Sequence, residues 1–253
     1  MSRAASALAA VLLASAPAAA QQPQPQPLVI DLSNSVVSIT TGFAGADLLL
    51  FGAFDGQGDL AVVVTGPRRN ETVWQKQRVA GIWLNGQSMT FIDAPSFYRV
   101  AATAELTEMA PPDVLDRLQI GVERIPLPVA PGTARSASPE TIEAFRAALI
   151  RNKQFDGLYG LAPAPATVVG GRLFRASIHL PGNVPTGAYQ VETHLFQNRK
   201  LIASRATSLT VERAGFGDAV YRFAFDHSAL YGLVAILLAL MAGWTASLLF
   251  RRT

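Results

Sequence analysis

Apolar and polar positions alternate in short runs, separated by turn residues, from Leu28 to about Thr107. Runs of this kind are typical of strands with one buried face, and their spacing indicates an antiparallel sandwich. The strongest turn signal is Asn85-Gly86, which favours a two-residue hairpin turn between the strands on either side of it. The predicted strands are Leu28–Leu32, Val36–Thr40, Asp47–Phe54, Asp59–Thr65, Thr72–Gln77, Ile82–Leu84, Ser88–Ile92 and Tyr98–Ala102.

The middle of the chain has a helical pattern. Pro111-Pro112-Asp113 precedes a short helix, and Ser138-Pro139-Glu140 combines an N-cap serine, a proline at the first position and an early acid. This combination predicts the start of a second helix, which runs from Thr141 to about Lys153. Its expected apolar face consists of Ile142, Phe145, Leu149 and Ile150.

The β pattern returns from Val168 to Glu212. Leu173–Leu180 alternates regularly, and a turn at residues 181–187 leads into Ala188–Phe196, so these two strands are expected to pair as a hairpin. The later strands either form a second, immunoglobulin-like unit or complete one sandwich begun at residue 28, and the sequence leaves both alternatives open. The expected fold class is mainly β: one or two immunoglobulin-like antiparallel sandwiches with a short helical insert, followed by a C-terminal transmembrane helix.

Both ends of the chain carry apolar runs with a location signal. Met1 to Ala20 has one early charge, Arg3, then an apolar stretch that ends in three alanines, the order of a secretory signal peptide cleaved before Gln21. Residues 229–250 contain no charged side chain and cover about 33 Å as a helix, enough for a bilayer core. Arg251 and Arg252 follow, so the positive-inside preference predicts a cytoplasmic C-terminus.

The chain is therefore expected to be a single-pass membrane protein, with its bulk on the side opposite to the cytoplasm and the lipid bilayer as a partner. The expected segments are a signal peptide (1–20), a Gln/Pro spacer (21–27), an N-terminal β domain (28–107), a helical and loop connection (108–165), a second β unit (166–214), a juxtamembrane segment (215–228), the membrane helix (229–250) and a cytoplasmic tail (251–253).

Composition and charge exclude several classes of protein. Half of the residues are hydrophobic and only 15% are charged, against about 25% in an ordinary soluble domain, and the two end runs explain much of this excess. Between Gln21 and Ser228 the 18 basic residues equal the 18 acidic ones, with no basic block longer than two. A phosphate-binding surface needs clustered positive charge, so we expect no nucleic-acid partner.

The sequence predicts neither an enzyme nor a metal or cofactor site. It has no cysteine, and its three histidines include His179 and His194, which the expected hairpin places too far apart to share a metal. His194 is predicted to be a solvated strand residue, since Gln190 and Glu192 share its face. Trp74 and Trp83, near Lys76 and Arg78, could form a recognition surface, but packing is the commoner use of tryptophan. We therefore predict no catalytic residues, no cofactor and no metal ligands.

A set of Gly, Pro and aromatic motifs in the first hundred residues gives a family resemblance. The motifs are Phe43-x-Gly45-Ala46, Leu50-Phe51-Gly52-Ala53, Gly66-Pro67, Arg78-Val79-x-Gly81-x-Trp83-x-Asn85 and Pro95-x-Phe97-Tyr98. With the leader and the tail helix, the chain resembles a family called putative transmembrane proteins of alphaproteobacteria. The resemblance implies an inner-membrane protein that faces the periplasm, with a permease of the sulfite-exporter type as an associated protein. It supplies no catalytic residues.

Two functions remain as hypotheses. The first is a membrane-anchored periplasmic interaction module without enzymatic activity, accessory to such a transporter. The alternative is a tethered periplasmic receptor for a small solute or anion, because ligands often bind between structural units.

The tail helix has small residues at every fourth position, which places them along one side. Small side chains let another membrane helix approach closely. The candidate packing residues, for a permease or for self-association, are Ala235, Ala239, Gly243 and Ser247.

Overall fold

The computed structural model describes residues 27–40, 42–79, 81–134, 137–215, 221 and 223–250. The predicted signal peptide, nearly all of the spacer and the tail 251–253 lie outside the described residues. The strands are β1 Leu28–Leu32, β2 Val36–Ile39, β3 Gly45–Phe54, β4 Asp59–Thr65, β5 Arg68–Val79, β6 Ile82–Pro95, β7 Tyr98–Ala102, β8 Ala164–Val169, β9 Leu173–Pro181, β10 Gly187–Gln197 and β11 Lys200–Arg213. The helices are α1 Leu106–Met109, α2 Pro112–Arg117, α3 Pro131–Ala134, α4 Pro139–Phe155 and α5 Ser228–Phe250, with a 3₁₀ turn at Val122–Arg124.

Nine of the described strands form one large sheet in the order β1-β3-β9-β8-β7-β4-β10-β11-β2. A short parallel pairing of β7 with β8, through Ala101–Ala164 and Ala102–Pro165, joins its two halves. The sheet curls so that β1, at one edge, lies close to β11, near the other edge. The predicted fold class is confirmed: a mainly β fold with a helical insert and a C-terminal apolar helix. The sheet is not purely antiparallel, because β2 pairs with β11 in parallel.

Strands from the two predicted β parts alternate within this sheet. β3 pairs with β9, and β4 pairs with β10, each over a long antiparallel register. The strands before and after the helical insert therefore belong to one sheet, which answers the alternative that the sequence left open.

The core lies between the inner faces of the curled sheet. On β9 the predicted alternation is confirmed, because Phe174, Ala176, Ile178 and Leu180 are buried while the residues between them are exposed. Strand β4 differs: all residues from Leu60 to Val64 are buried, so both of its faces are covered. This burial requires a second layer outside the sheet, which the helical insert supplies.

The predicted hairpin turn at Asn85-Gly86 is wrong. Strand β6 runs without interruption through both residues, and the chain reverses between Val79 and Ile82. A β-bulge on β6, where Gly86 and Gln87 lie opposite Gln75, lets Lys76 pair with Asn85, and the Lys76 ammonium donates to the Asn85 side chain at 2.6 Å. A Cβ on Gly86 would lie 2.4 Å from Cδ of Gln77, so glycine here allows close strand approach rather than a turn.

The predicted hairpin between the strands of His179 and His194 is also wrong. Strand β9 pairs with β3 and β8, whereas β10 pairs with β4 and β11. Residues 182–186 cross from one half of the sheet to the other. The apolar faces of both strands turn to the shared core, and burying them there overrides the local preference for a hairpin.

The insert between β7 and β8 packs beside the root of the β5–β6 hairpin. Helix α4 begins as predicted: the Ser138 hydroxyl accepts from the Thr141 amide at 3.2 Å, and Pro139 is the first helical residue. The Lys153 ammonium, near the end of α4, pairs with Oε1 of Glu71 on β5 at 2.7 Å. The Tyr159 hydroxyl donates to the Pro95 carbonyl at 2.7 Å. These contacts fix the insert against the hairpin and close the outer side of β4.

Candidate functional site

A polar cavity of about 350 Å³ lies between the outer face of β4 and β10 and the helical insert. The sheet side is formed by alternate residues of neighbouring strands, because cross-strand partners share a face: Val63 pairs with Glu192, and Thr65 with Gln190. The root of the hairpin and the end of α2 supply the other walls. The lining residues are Val63, Thr65, Arg68, Pro95, Tyr98, Arg117, Leu118, Gln119, Ile125, Gln190, Glu192, His194 and Ser204.

His194 is the most deeply buried ionisable side chain in this cavity, with only 2% of its surface exposed. Its Nδ1 lies 3.0 Å from the Ser204 hydroxyl, while Nε2 has no hydrogen-bond partner among the described residues. Burial lowers the pKa of His194 to about 4, so the ring is neutral at pH 7. Oε2 of Glu192, at 4.0 Å, is too far for a hydrogen bond to Nε2.

Arg68 is held by two residues with left-handed backbone conformations. Asp93 has φ +55° and Gln119 has φ +54°. This backbone conformation is energetically unfavourable for any residue other than glycine. The Arg68 guanidinium donates to the Asp93 carbonyl at 3.1 Å and to the Gln119 side-chain oxygen at 3.4 Å. Backbone strain of this kind is often found at binding sites. Here both strained residues position one cation at the cavity wall.

Tyr98 fixes the loop that carries Gln119. Its hydroxyl donates to the Gln119 carbonyl and accepts from the Gly121 amide at 2.9 Å. Burial raises the pKa of this hydroxyl, which keeps it a neutral donor and acceptor. A side chain of the sheet therefore fixes the part of the cavity wall that Gln119 forms.

The cavity presents both signs of charge. Arg68 and Arg117 are cationic, and Glu192 is anionic and accepts from the Gln190 side-chain amide at 3.0 Å. Side-chain amides and the His194 ring add neutral donors and acceptors. This arrangement can hold a small polar solute with an acidic group toward the arginines and a donor toward Glu192.

The structure corrects the prediction that His194 is solvated. Gln190 and Glu192 do share its face, but the insert covers that face at the position of His194. Sequence reasoning also missed Arg68, Gln119 and the other polar lining residues. One signal was available: Leu60–Val64 is apolar without alternation, which indicates a strand covered on both faces.

The tryptophans that were expected to pack are exposed. On the β5–β6 hairpin, 51% of Trp74 and 64% of Trp83 are accessible. His179 is also exposed, and its Nδ1 lies 2.8 Å from Oδ1 of Asp47. Within the described part of the chain, no three His, Asp or Glu side chains are grouped as metal ligands.

Helix α5 is long and apolar enough to cross a bilayer from Ser228 to Ser247, and none of that span is buried in the protein. The predicted packing residues are all exposed along it: Ala235, Ala239, Gly243 and Ser247. No other described segment buries this span of α5, so the role of these residues in helix packing stays a prediction.

Comparison with known proteins adds one assignment. No curated protein matches the chain. A family match, in contrast, extends from residue 27 to residue 252 and so includes the curled sheet, the insert and the apolar helix. The chain belongs to the family described as "Putative transmembrane protein (Alph_Pro_TM)".

Proposed function

We propose that this protein is a membrane-anchored receptor domain that binds a small polar or anionic solute in the cavity beneath the helical insert. The observation that carries the proposal is the cavity of about 350 Å³ itself, which is lined by the charged side chains of Arg68, Arg117 and Glu192 together with the side-chain amides of Gln119 and Gln190. The cavity volume also falls within the usual range for small-molecule sites.

The order of the strands supports an immunoglobulin-like description of the domain. The half-sheet β1-β3-β9-β8 corresponds to strands A, B, E and D of that fold. The half-sheet β7-β4-β10-β11 corresponds to C′, C, F and G, with the β5–β6 hairpin inserted between C and C′ and the helices between C′ and D. Such a fold hosts many unrelated functions, so the proposed function rests on the cavity.

The location belongs to the same proposal. A cleaved leader, a periplasmic domain and a short cytoplasmic tail follow from the predicted signal peptide, the apolar helix α5 and the terminal arginines. In this orientation the cavity samples solutes outside the inner membrane.

Thermal unfolding of the full chain in detergent, with a panel of small solutes, tests the receptor. The panel contains sulfite, phosphate, L-serine and L-glutamate, so that purely anionic and mixed-charge solutes are both represented. A solute that binds only the folded state stabilises it by about 2.7 kcal/mol at 100 times its Kd. We expect at least one solute to raise the Tm of the wild type and to have little effect on Arg68→Gln or Glu192→Gln.

Lys200→Gln is the matched control, because Lys200 is an exposed cation at the start of β11 and does not line the cavity. Its Tm shift should equal that of the wild type. Equal shifts in all four proteins would place binding elsewhere, and a panel without any shift would count against the receptor.

A second candidate function is the interaction module accessory to a permease, which is favoured by the stripe of small residues on the exposed helix α5. Gly243→Leu with Ala239→Leu keeps the helix apolar but blocks close approach of another helix. Loss of co-purifying permease or of self-association, with the β domain still folded, would support this candidate. Leu237→Ile with Met241→Leu changes the opposite side of the helix and should leave association intact. Association that survives the first pair would make α5 an anchor only.

A further inference from the structure

The outer half of the β5–β6 hairpin projects from the domain with an unpartnered apolar tip. Val73 and Met89 are the last residues from the root whose side chains are buried. Beyond them every residue of β5 from Trp74 to Val79 is exposed. The tip of the hairpin, where β5 ends and β6 begins, is apolar. Between half and two thirds of each of its side chains is accessible: Val79, Ile82, Trp83 and Leu84. Soluble domains rarely expose such a cluster without a partner.

The charge of this arm is one-sided. From Thr72 to Gln87 the sequence contains Lys76 and Arg78 and no acidic residue. Cross-strand pairing places Arg78 beside Trp83 and Lys76 beside Asn85, directly behind the apolar tip. Lys76 is two or three residues from the tip, a distance of about 10 Å along the strand.

The register brings the root of the arm near the connection to the membrane helix. Strands β4 and β11 both run antiparallel to β10, so they end at the same end of the sheet. β11 reaches Val211 opposite Gly187, and a Cβ on Gly187 would lie 2.9 Å from Cγ of Pro67 at the root of the arm. The arm and the tether therefore leave the domain about two strand spacings apart, roughly 10 Å.

The tether keeps the domain near the bilayer. Residues 214–227 separate β11 from α5 and span at most about 50 Å when fully extended. A strand of twelve residues, as in β5, is itself about 40 Å long. The short tether therefore holds the arm within a few nanometres of the bilayer surface.

We propose that the tip of the β5–β6 hairpin docks into the surface of the anionic bilayer in which α5 is anchored. Val79, Ile82, Trp83 and Leu84 enter the interface, where tryptophan is favoured, to the 5–10 Å depth typical of interfacial segments. Lys76 and Arg78 then lie at the level of the lipid headgroups and attract their negative charge. This second attachment is independent of the cavity and goes beyond the proposed receptor function.

Tryptophan quenching in vesicles tests the proposal on the full chain. Trp74→Phe with Trp244→Phe leaves Trp83 as the single tryptophan of the chain. In vesicles of phosphatidylcholine and phosphatidylglycerol, we expect lipids brominated in the upper acyl chain to quench Trp83 and iodide in the water to fail. A Trp83 that iodide quenches and brominated lipid does not would overturn the proposal.

The matched control carries Leu201→Trp with all three native tryptophans changed to Phe. Leu201 is 40% exposed at the start of β11, the opposite end of the sheet, on the same tether. Its tryptophan should remain accessible to iodide. A Trp83 shielded from iodide without quenching by brominated lipid would indicate a protein partner or a second copy, which also overturns bilayer docking.

The basic pair provides an independent readout. Lys76→Gln with Arg78→Gln should weaken insertion of Trp83 in vesicles with phosphatidylglycerol by about fivefold for each charge, and should change little in phosphatidylcholine alone. An equal effect in both lipids would overturn the role assigned to the headgroups. Unchanged far-UV circular dichroism checks that the variants fold, since both side chains are exposed.

Discussion

His194 is buried by the fold, and its Nε2 has no hydrogen-bond partner in the part of the chain that the structure describes. The residue lies on the side of β10 that its neighbours Gln190 and Glu192 make polar, so the local pattern resembles a solvated face. What buries it is the insert, which begins about ninety residues earlier in the chain. A short-range pattern cannot contain this information, and for that reason the character of the site was not predictable from β10 alone.

The buried His194 makes the protein less stable in acid. Its pKa is about 4 in the folded state and about 6.5 in an unfolded chain, so the unfolded state binds the extra proton between these values. Stability is therefore fully present above about pH 6.5 and falls as the pH drops toward 4, by up to about 3 kcal/mol. Urea unfolding of the full chain near pH 7 and near pH 5 should show a smaller loss for His194→Gln. Equal losses would mean that another group is responsible.

The strained backbone of Gln119 is expected to lower the stability of the fold, while its side chain supports solute binding. It follows α2 in the left-handed conformation that glycine usually adopts after a helix, and Ile120 donates back to the Leu115 carbonyl at 2.9 Å. Gln119→Gly should relieve strain and raise the unfolding free energy by about 0.5–1 kcal/mol. The same change removes the side-chain oxygen that holds Arg68, so solute-induced stabilisation should decrease. A variant that is less stable would contradict the strain argument.

At the scale of elements, the contact between the hairpin root and α4 depends on one buried ion pair. Lys153 is 7% exposed and Glu71 is 19% exposed, and Arg69 also donates to Oε1 of Glu71 at 2.6 Å. Burial acts to raise the pKa of Glu71, but the hydrogen bonds and charges of Lys153 and Arg69 outweigh it and lower the pKa. The carboxylate is therefore charged at neutral pH and compensates the buried ammonium.

Glu71→Gln should destabilise the protein by about 2 kcal/mol or more, because it leaves the Lys153 ammonium buried without an anion. Lys153→Met removes the cation and fills the same space, so its cost should be smaller. Glu143→Gln, an exposed change on α4, is the control and should be near neutral. Urea unfolding measures all three, and a larger loss for Lys153→Met than for Glu71→Gln would contradict the expected order.

The strands and helix α4 were largely predictable from the sequence, but their partners were not. Alternation in Leu173–Leu180 identifies a buried face, and Ser138-Pro139 identifies a helix start, because both signals are local. Pairing depends on distant residues: the turn at 181–187 resembles a hairpin, yet β9 and β10 join different halves of the sheet. The prediction of a turn at Asn85-Gly86 failed for a related reason. The sequence does not distinguish a glycine that allows a close neighbour from a glycine that turns the chain.

At the scale of the whole molecule, the predicted orientation places the β domain outside the inner membrane and the C-terminus inside. A phosphatase reporter that is active only outside should work when fused after Gly215 and should not work after Thr253. Activity at the C-terminal fusion would reverse the orientation. A mature N-terminus at Met1, found by sequencing the purified protein, would contradict cleavage of the leader.

The position of β11 in the sheet also has a mechanical consequence. This strand leads toward the membrane helix, and it lies between β10, to which it pairs from Gly187 to Gln197, and the parallel strand β2. A pull from the anchor along β11 would have to slide it past both neighbours. The ladder hydrogen bonds lie nearly perpendicular to that motion, so they would stretch together in shear instead of opening one after another. We therefore expect the junction to resist tension better than a strand peeled from a free edge.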